Sequence, residues 1–300
     1  MTLHAIVAAL GGNLYQGGRR ANVPAPGHSA DDRSVSLMLA EGRVIIHGFG
    51  SADWREVRDD LRRQGFVDAG GRLVGAARAG PSAPKPDRRV RVETALRLWN
   101  GGAPLTSGDP ASRYLRRRHI EGGDGALDLR FNPAVPISVY RNGGRTRPGV
   151  VARISDAEDR LTAVEITYLE PNGLPATGLK LTRKTIGVVP PGAAVRLSPI
   201  AAEMLVGEGV VTVLSAMDRF RLPGWALLSA NNLSVWTPPA QVRSLVIAAD
   251  HGAAGEGAAV RLLRRLKALA LDVRILRPDP PFGDWNEAAP TAREREERGR

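Results

Sequence analysis

Apolar and polar positions change their period several times along the chain, and each change predicts an element. Residues 2–10 carry helical spacing and stop at Gly11-Gly12. Residues 33–39 and 43–49 alternate with period two on either side of Glu41-Gly42, the pattern of a hairpin. Asp53 stands where an N-cap belongs. Trp54, Val57 and Leu61 then share one face of a helix expected to run through Arg63, with Gly65 as its stop. Residues 1–68 are therefore expected to form a small α+β module. Residues 70–89 are rich in Gly, Ala, Pro and Arg without apolar periodicity, which predicts a linker over 69–90.

Two helices are expected next, over 91–99 and 110–119, the second after a capping region at Ser107 and Asp109. Strands are expected over 150–155, 163–170 and 178–182, the last two joined by the turn signal Pro171-Asn172-Gly173. These make an α+β subdomain over 91–198. From Glu203 the order becomes strand, helix, strand, strand, helix, strand, which implies a mostly parallel sheet covered by helices over 199–290. In a helix expected over 257–270, Ala259, Leu262, Leu263, Leu266 and Leu269 face inward, and Arg261, Arg264, Arg265 and Lys267 face solvent. The charged segment 291–300 is expected to be a frayed tail.

Composition narrows the chemistry. A hydrophobic content of 43% is ordinary for a globular protein. With no run of 18 apolar residues and no secretory signal pattern, the chain is read as soluble and cytoplasmic, without a membrane partner. Cysteine is absent, which excludes disulfides, thiolate zinc sites, iron-sulfur clusters and a cysteine nucleophile. Any metal must be held by oxygen or histidine. The 42 Lys+Arg against 31 Asp+Glu give a net charge of +11, a field that attracts polyanions such as nucleic acid.

Three apolar runs of the C-terminal region each lead into an acid: Met204-Leu205-Val206 into Glu208, residues 245–249 into Asp250, and residues 273–276 into Asp284. Open α/β sheets place their sites at the carboxyl ends of their strands, so neighbouring strands would bring these carboxylates to one edge. Clustered carboxylates repel one another unless a cation intervenes, and oxygen-only ligands suit Mg²⁺ or Mn²⁺. Spacing alone leaves open that they are ordinary polar strand ends.

Gly207-Glu208-Gly209 with the apolar run after it, the stretch 225–233, the stretch 246–255 around Asp250-His251-Gly252, and Gly283-Asp284-Trp285-Asn286 together resemble the Toprim domain of phage- and plasmid-borne primase-like proteins. Further similarity extends upstream, so that it covers roughly residues 108–288. It implies a Rossmann-like sheet, with Glu208 as a metal-linked acid or base and Glu208, Asp250 and Asp284 as catalytic and metal-binding residues. Two positions depart from the family pattern. Gly252 stands where the second aspartate of an Asp-x-Asp pair belongs, and Val211 where a second glutamate is often found. Restoring the missing carboxylate as Gly252→Asp is expected to tighten Mg²⁺ binding.

In the N-terminal module, residues 22–29, 32–36 and 44–49 resemble the zinc-binding module of bacterial and phage primases. Val23 and Gly48 stand where cysteines are expected, leaving His28 and His47, too few ligands for a structural zinc site. No zinc cofactor is expected, and elemental analysis of the purified protein should find less than stoichiometric zinc. One tightly held zinc per chain would overturn this reading.

The densest basic cluster is Arg113, Arg116, Arg117 and Arg118. The first three are expected to line up against a phosphate backbone, and Lys180, Arg183 and Lys184 to reach a nucleoside triphosphate or a primer strand. Resemblance and charge together imply a primase-like protein of mobile-element type, carrying out Mg²⁺- or Mn²⁺-dependent nucleotidyl transfer. Its expected partners are a single-stranded DNA template, NTPs and a replicative helicase. A Toprim nuclease and a catalytically weakened module that binds DNA or recruits a partner remain as alternatives. No GxxxxGK[ST] phosphate loop occurs, so no helicase is encoded in this chain.

Overall fold

A computed structural model describes residues 3–29, 32–49, 53–74, 86–140, 143–179 and 181–289. They divide into two compact units, residues 1–85 and 86–300. Half of the expected linker, residues 75–85, and all of the expected tail lie outside the described residues, as does Lys180.

In the first unit, α1 (His4–Leu10) precedes β1 (Asn13–Tyr15), β2 (Arg20–Val23), β3 (Val35–Ala40) and β4 (Arg43–Gly48), an antiparallel meander closed by α2 (Trp54–Arg63). Strict alternation in β3 sends Val35, Leu37 and Leu39 into a core with Leu3, Ile6, Val57 and Leu61, as the period-two reading requires. Asp53 caps α2 by accepting the Arg55 N–H at 2.9 Å. Trp54 does not join the core: it is exposed, and the guanidinium groups of Arg55 and Arg58 lie 4.8 and 5.4 Å from its ring. At the very start of a helix a side chain has no preceding turn to lie against, so cations cover it instead.

The second unit opens with α3 (Arg88–Asn100), capped by Asp87, followed by β5 (Ala103–Pro104) and α4 (Pro110–Arg117). The strands β6 (Leu129–Pro136), β7 (Thr146–Ser155), β8 (Leu161–Tyr168) and β9 (Arg183–Gly187) join β5 in an antiparallel sheet ordered β5-β6-β7-β8-β9. One face packs Val151, Val164, Ile166 and Ile186 against Leu98 and Trp99 of α3. The other packs Val150, Ala152 and Ile154 toward α4 and the C-terminal sheet.

One expectation changes here, and one strand was not expected. The described residues of 178–182 form no strand, and Pro171-Asn172-Gly173 closes only a local bridge between Leu169 and Pro175 before β9 begins at Arg183. The strand β6 carries Pro133 and Pro136, which argue against a strand because proline donates no ladder hydrogen bond; the sheet absorbs them with a register shift between Asn132 and Val135.

The C-terminal part runs β10 (Val195–Arg196), β11 (Glu203–Gly207), α5 (Val210–Phe220), β12 (Gly224–Ala226), α6 (Ala230–Val235), β13 (Ser244–Ala248), α7 (Ala253–Lys267) and β14 (Asp272–Leu276). Its sheet is ordered β10-β12-β11-β13-β14, parallel throughout except for the edge strand β10. Both faces are covered. Leu205, Val246 and Ala248 face α5, whereas Met204, Val206, Leu245 and Ile247 face α7. The expected inward row of α7 holds for Ala259, Leu262 and Leu266, with Leu263 partly buried; Leu269 lies beyond the helix end, 63% exposed. The helix starts four residues before its expected first residue, because Gly255 and Gly257 are tolerated in its opening turns. Among the described residues, no helix is long and apolar enough to cross a membrane.

Candidate functional site

Strands β11, β13 and β14 are hydrogen-bonded neighbours, with Gly207 opposite Ala248 and Ala248 opposite Leu276. Glu208 follows the first strand by one residue, Asp250 follows the second by two, and Asp284 lies in the loop after the third. All three therefore come to the carboxyl edge of one sheet.

Different groups hold each carboxylate. Glu208 accepts the N–H of Ala230 at the start of α6, yet burial raises its pKa. Gly255 of α7 makes room for it, since a Cβ there would lie 2.9 Å from Glu208 Oε1. Asp284 Oδ1 accepts the N–H groups of Asn286 and Glu287, both at 2.8 Å, while Glu287 Oε2 accepts the Gly283 N–H at 2.7 Å. That reciprocal pairing resembles a helix-start capping box and stiffens the loop around the acid. Asp250 has no such support. Its Oδ1 is buried with no hydrogen-bond partner. Its pKa is pushed up to about 7 by burial first and then by the charges of Asp284, Glu208 and Glu287, with His251 opposing.

The loop that brings Asp284 to the edge is tied at both ends. His251 donates its backbone N–H to Gly283 O at 2.8 Å, and its Nε2 lies 2.9 Å from Pro278 O. Asn286 is buried and donates from Nδ2 to Arg118 O at 2.7 Å and to Ser215 Oγ at 3.0 Å, while Arg118 donates to Asn286 Oδ1 at 2.8 Å. Trp285 packs edge-on against Phe220, ring centroids 5.0 Å apart. The sequence motif located Asp284 and Asn286. Arg118, His251 and Ser215 carried no signal that would tie them to this loop.

All-oxygen donors and an orphaned buried carboxylate oxygen fit a hard divalent cation. Among the described residues, however, no group of three or more His, Asp and Glu side chains is arranged to hold a metal ion. The acids share an edge without closing on one point. Gly252 sits beside Asp250 with nothing within 4 Å of where a Cβ would be, so there is a gap on that side. Its φ of 133° is one that L side chains rarely adopt. Gly252→Asp is thus expected to cost about 1–3 kcal/mol, read as a lower midpoint in thermal unfolding of the metal-free protein. An unchanged midpoint would show that the loop relaxes freely.

The basic residues separate by what they touch. Arg113 donates to Gly108 O and, at 2.7 Å, to Pro171 O, and Arg116 donates to Ser107 O at 2.5 Å, so both brace the loops around the start of α4. Lys184 donates to Ile137 O at 2.8 Å and lies 5.2 Å from the Tyr168 ring, on the α3 face of its sheet. Arg183, one residue earlier, points to the opposite face, 3.9 Å from Glu165, in a narrow hollow that Val210 and Val211 of α5 also line. Arg117 is exposed beside a cleft of about 380 Å³ that reaches Asn286 and Glu287. His28 pairs with Asp32 at 3.1 Å, and His47 packs edge-on against Phe49 at 4.8 Å.

Residues 203–292 match the family model described as a Toprim domain, and residues 89–197 match a model described as a domain of unknown function. The C-terminal region is a Toprim domain. A comparison with curated proteins found no match. Among solved structures, the chain is similar to the primase fragment of the bacteriophage T7 primase-helicase protein, at 15% identity over 95% of this chain and 98% of that one, with a TM-score of 0.40. It is also similar to the zinc-binding and RNA polymerase domains of the Aquifex aeolicus primase, at 14% identity over 98% and 82%, with a TM-score of 0.45. The E. coli primase catalytic core gives 13% identity over 68% and 75%, with a TM-score of 0.43.

Proposed function

We propose that this Toprim-containing chain synthesises primers on single-stranded DNA by Mg²⁺- or Mn²⁺-dependent nucleotidyl transfer from NTPs, and that it works alongside a replicative helicase. The observation that carries this reading is the arrival of Glu208, Asp250 and Asp284 at the carboxyl edge of three adjacent parallel strands within a Toprim domain. Asp250 and Asp284, with Glu208, are the groups that would hold the ion. A bound divalent cation supplies charge neutralisation and orientation of phosphate oxygens. Glu208, whose proton affinity is raised by burial, accepts the proton of the 3′ hydroxyl as its oxygen bonds to the α-phosphorus of the incoming NTP and pyrophosphate leaves. Arg183 and Arg117 are the phosphate contacts, since Arg113, Arg116 and Lys184 already donate to protein carbonyls.

Incubation with a single-stranded template, labelled NTPs and Mg²⁺ or Mn²⁺ tests the reading. Products longer than a dinucleotide are expected; shortened DNA would replace it with a nuclease. The positive φ at Gly252, where the family pattern has a second carboxylate, favours a second reading: a weakened module that binds DNA without extending it. Retention of DNA with neither product would select that reading.

Binding to single-stranded DNA is expected to weaken as salt rises, and Arg117→Ala to reduce the magnitude of the log–log salt slope by roughly one while leaving thermal stability unchanged. Arg113→Ala should do the reverse, lowering stability with little effect on the slope. A slope that Arg117→Ala leaves unaltered would remove this residue from the phosphate contacts.

A further inference from the structure

We infer that Arg118 and Asn286 form a positioning latch, by which a residue outside the Toprim domain sets the place of Asp284 and hence the cation affinity of the acidic edge. The inference rests on the reading of that edge as a divalent-cation site.

Asp284 lies eight residues beyond the last residue of β14, too far along a loop for the sheet itself to fix it. Besides the His251 N–H on Gly283 O, what fixes the loop next to the acid is Asn286. Its two amide N–H groups and its carbonyl oxygen are all used: Nδ2 donates to Arg118 O and to Ser215 Oγ, and Oδ1 accepts from the Arg118 guanidinium. The residue is 9% exposed, so these bonds are shielded from competing water. Its backbone N–H in turn donates to Asp284 Oδ1. One residue therefore fixes the position of the loop through its side chain and, with the Glu287 N–H, the direction of the carboxylate through its backbone.

Arg118 is itself held. It follows the last residue of α4, its guanidinium lies 5.4 Å from the Tyr114 ring, and its backbone N–H donates to Leu115 O at 2.9 Å. Tyr114 and Leu115 are buried in the core cluster that also contains Val213, Leu214 and Trp285. A shift of α4 would be passed to Asn286 through two parallel bonds of opposite polarity, which constrain rotation as well as distance. Ser215, on α5 of the Toprim domain, supplies the third point. Groups that orient metal ligands without touching the ion commonly account for about 10–100-fold in metal affinity, the scale expected here.

The test measures Mn²⁺ binding to the full-length chain by electron paramagnetic resonance, with thermal unfolding followed in parallel. Asp284→Asn is the benchmark and should remove most of the binding. Arg118→Ala is expected to weaken Mn²⁺ binding about tenfold, and Asn286→Ala about as much or more. The double variant should be no worse than Asn286→Ala alone, because the two residues act through one latch. Arg118→Lys, which retains a donor for Asn286 Oδ1, should recover most of the affinity, a rescue that general loss of stability would not give. Should Arg118→Ala impair folding, Ser215→Ala removes the third bond, along with the Ser215 hydroxyl's bond to Val211 O within α5, and should weaken binding by a few-fold without changing Arg118. Wild-type affinity in Arg118→Ala and Asn286→Ala, with Asp284→Asn defective, would overturn the latch and leave the acidic site standing. Unchanged binding in Asp284→Asn as well, or none in the wild type, would overturn the site reading and the latch with it.

Discussion

Asp250→Asn is expected to lower divalent-cation-dependent nucleotidyl transfer by at least about a thousandfold, equivalent to about 4 kcal/mol at 1.36 kcal/mol per tenfold. The same change should make the metal-free protein more stable than wild type above neutral pH. Both effects follow from one feature: a carboxylate with a buried oxygen that no donor satisfies, beside three other carboxylates. In the folded chain its pKa is pushed up to about 7, against an ordinary 3.8. The folded state thus binds a proton more tightly than the unfolded state does, and stability falls as pH rises from about 4 to about 7. Asparagine has no charge to develop, so the stability difference between variant and wild type should grow through that window and level off above it. With Mn²⁺ at about 100 times its dissociation constant the difference should narrow, because the wild type gains about 2.7 kcal/mol from binding and the variant does not. Unfolding curves at pH 5 and 8, with and without Mn²⁺, check all of this. A variant that gains nothing at pH 8 in the absence of metal would show that Asp250 is not under charge stress.

The Toprim sheet was legible in the chain because parallel strands buried on both faces read as near-continuous apolar runs, as residues 204–206 and 245–249 do, while 273–276 is broken only by Arg274 on the edge strand β14. Glu208 and Asp250 were legible for the same reason, as the first charges after their runs, whereas Asp284 lies beyond Arg277 and Asp279 and was legible only from the Gly283-Asp284-Trp285-Asn286 motif. Other features were not legible. The prolines of β6 concealed a strand that survives by a register shift. Arginine was hardest to read: Arg113, Arg116, Arg117 and Arg183 look alike in sequence, yet a guanidinium serves a protein carbonyl as well as a phosphate oxygen, and only the fold shows that the first two are committed to carbonyls. Lys184 and Arg183, adjacent in sequence, point to opposite faces because a strand alternates. Arg118 and Asn286 are 168 positions apart, and no local pattern encodes their contact.

Gly207→Ala is expected to cost about 2–3 kcal/mol and to lower the unfolding midpoint by roughly 5–10 °C, although it adds one methyl group inside a strand. The Gly-Glu-Gly sequence at 207–209 invites comparison with phosphate-cradling loops, but the first glycine serves packing. A Cβ at position 207 would lie 2.8 Å from Ala248 O and 2.9 Å from a methyl of Val213. Ala248 O belongs to the backbone of β13, which is held between β11 and β14 and cannot give way without moving the central ladder. Val213 is fully buried on α5, so it too has no free volume to enter. Relief must come from separating β11 from β13 at their carboxyl ends, where Glu208 and Asp250 stand, and cation affinity should fall along with stability. Gly209→Ala is the control. That residue has an ordinary φ of −87°, and its nearest neighbour to a new Cβ is Thr212 Oγ1 at 3.4 Å, so the substitution should cost less than about 1 kcal/mol. If the two variants unfold together, close approach of the strands is not the reason that glycine occupies position 207.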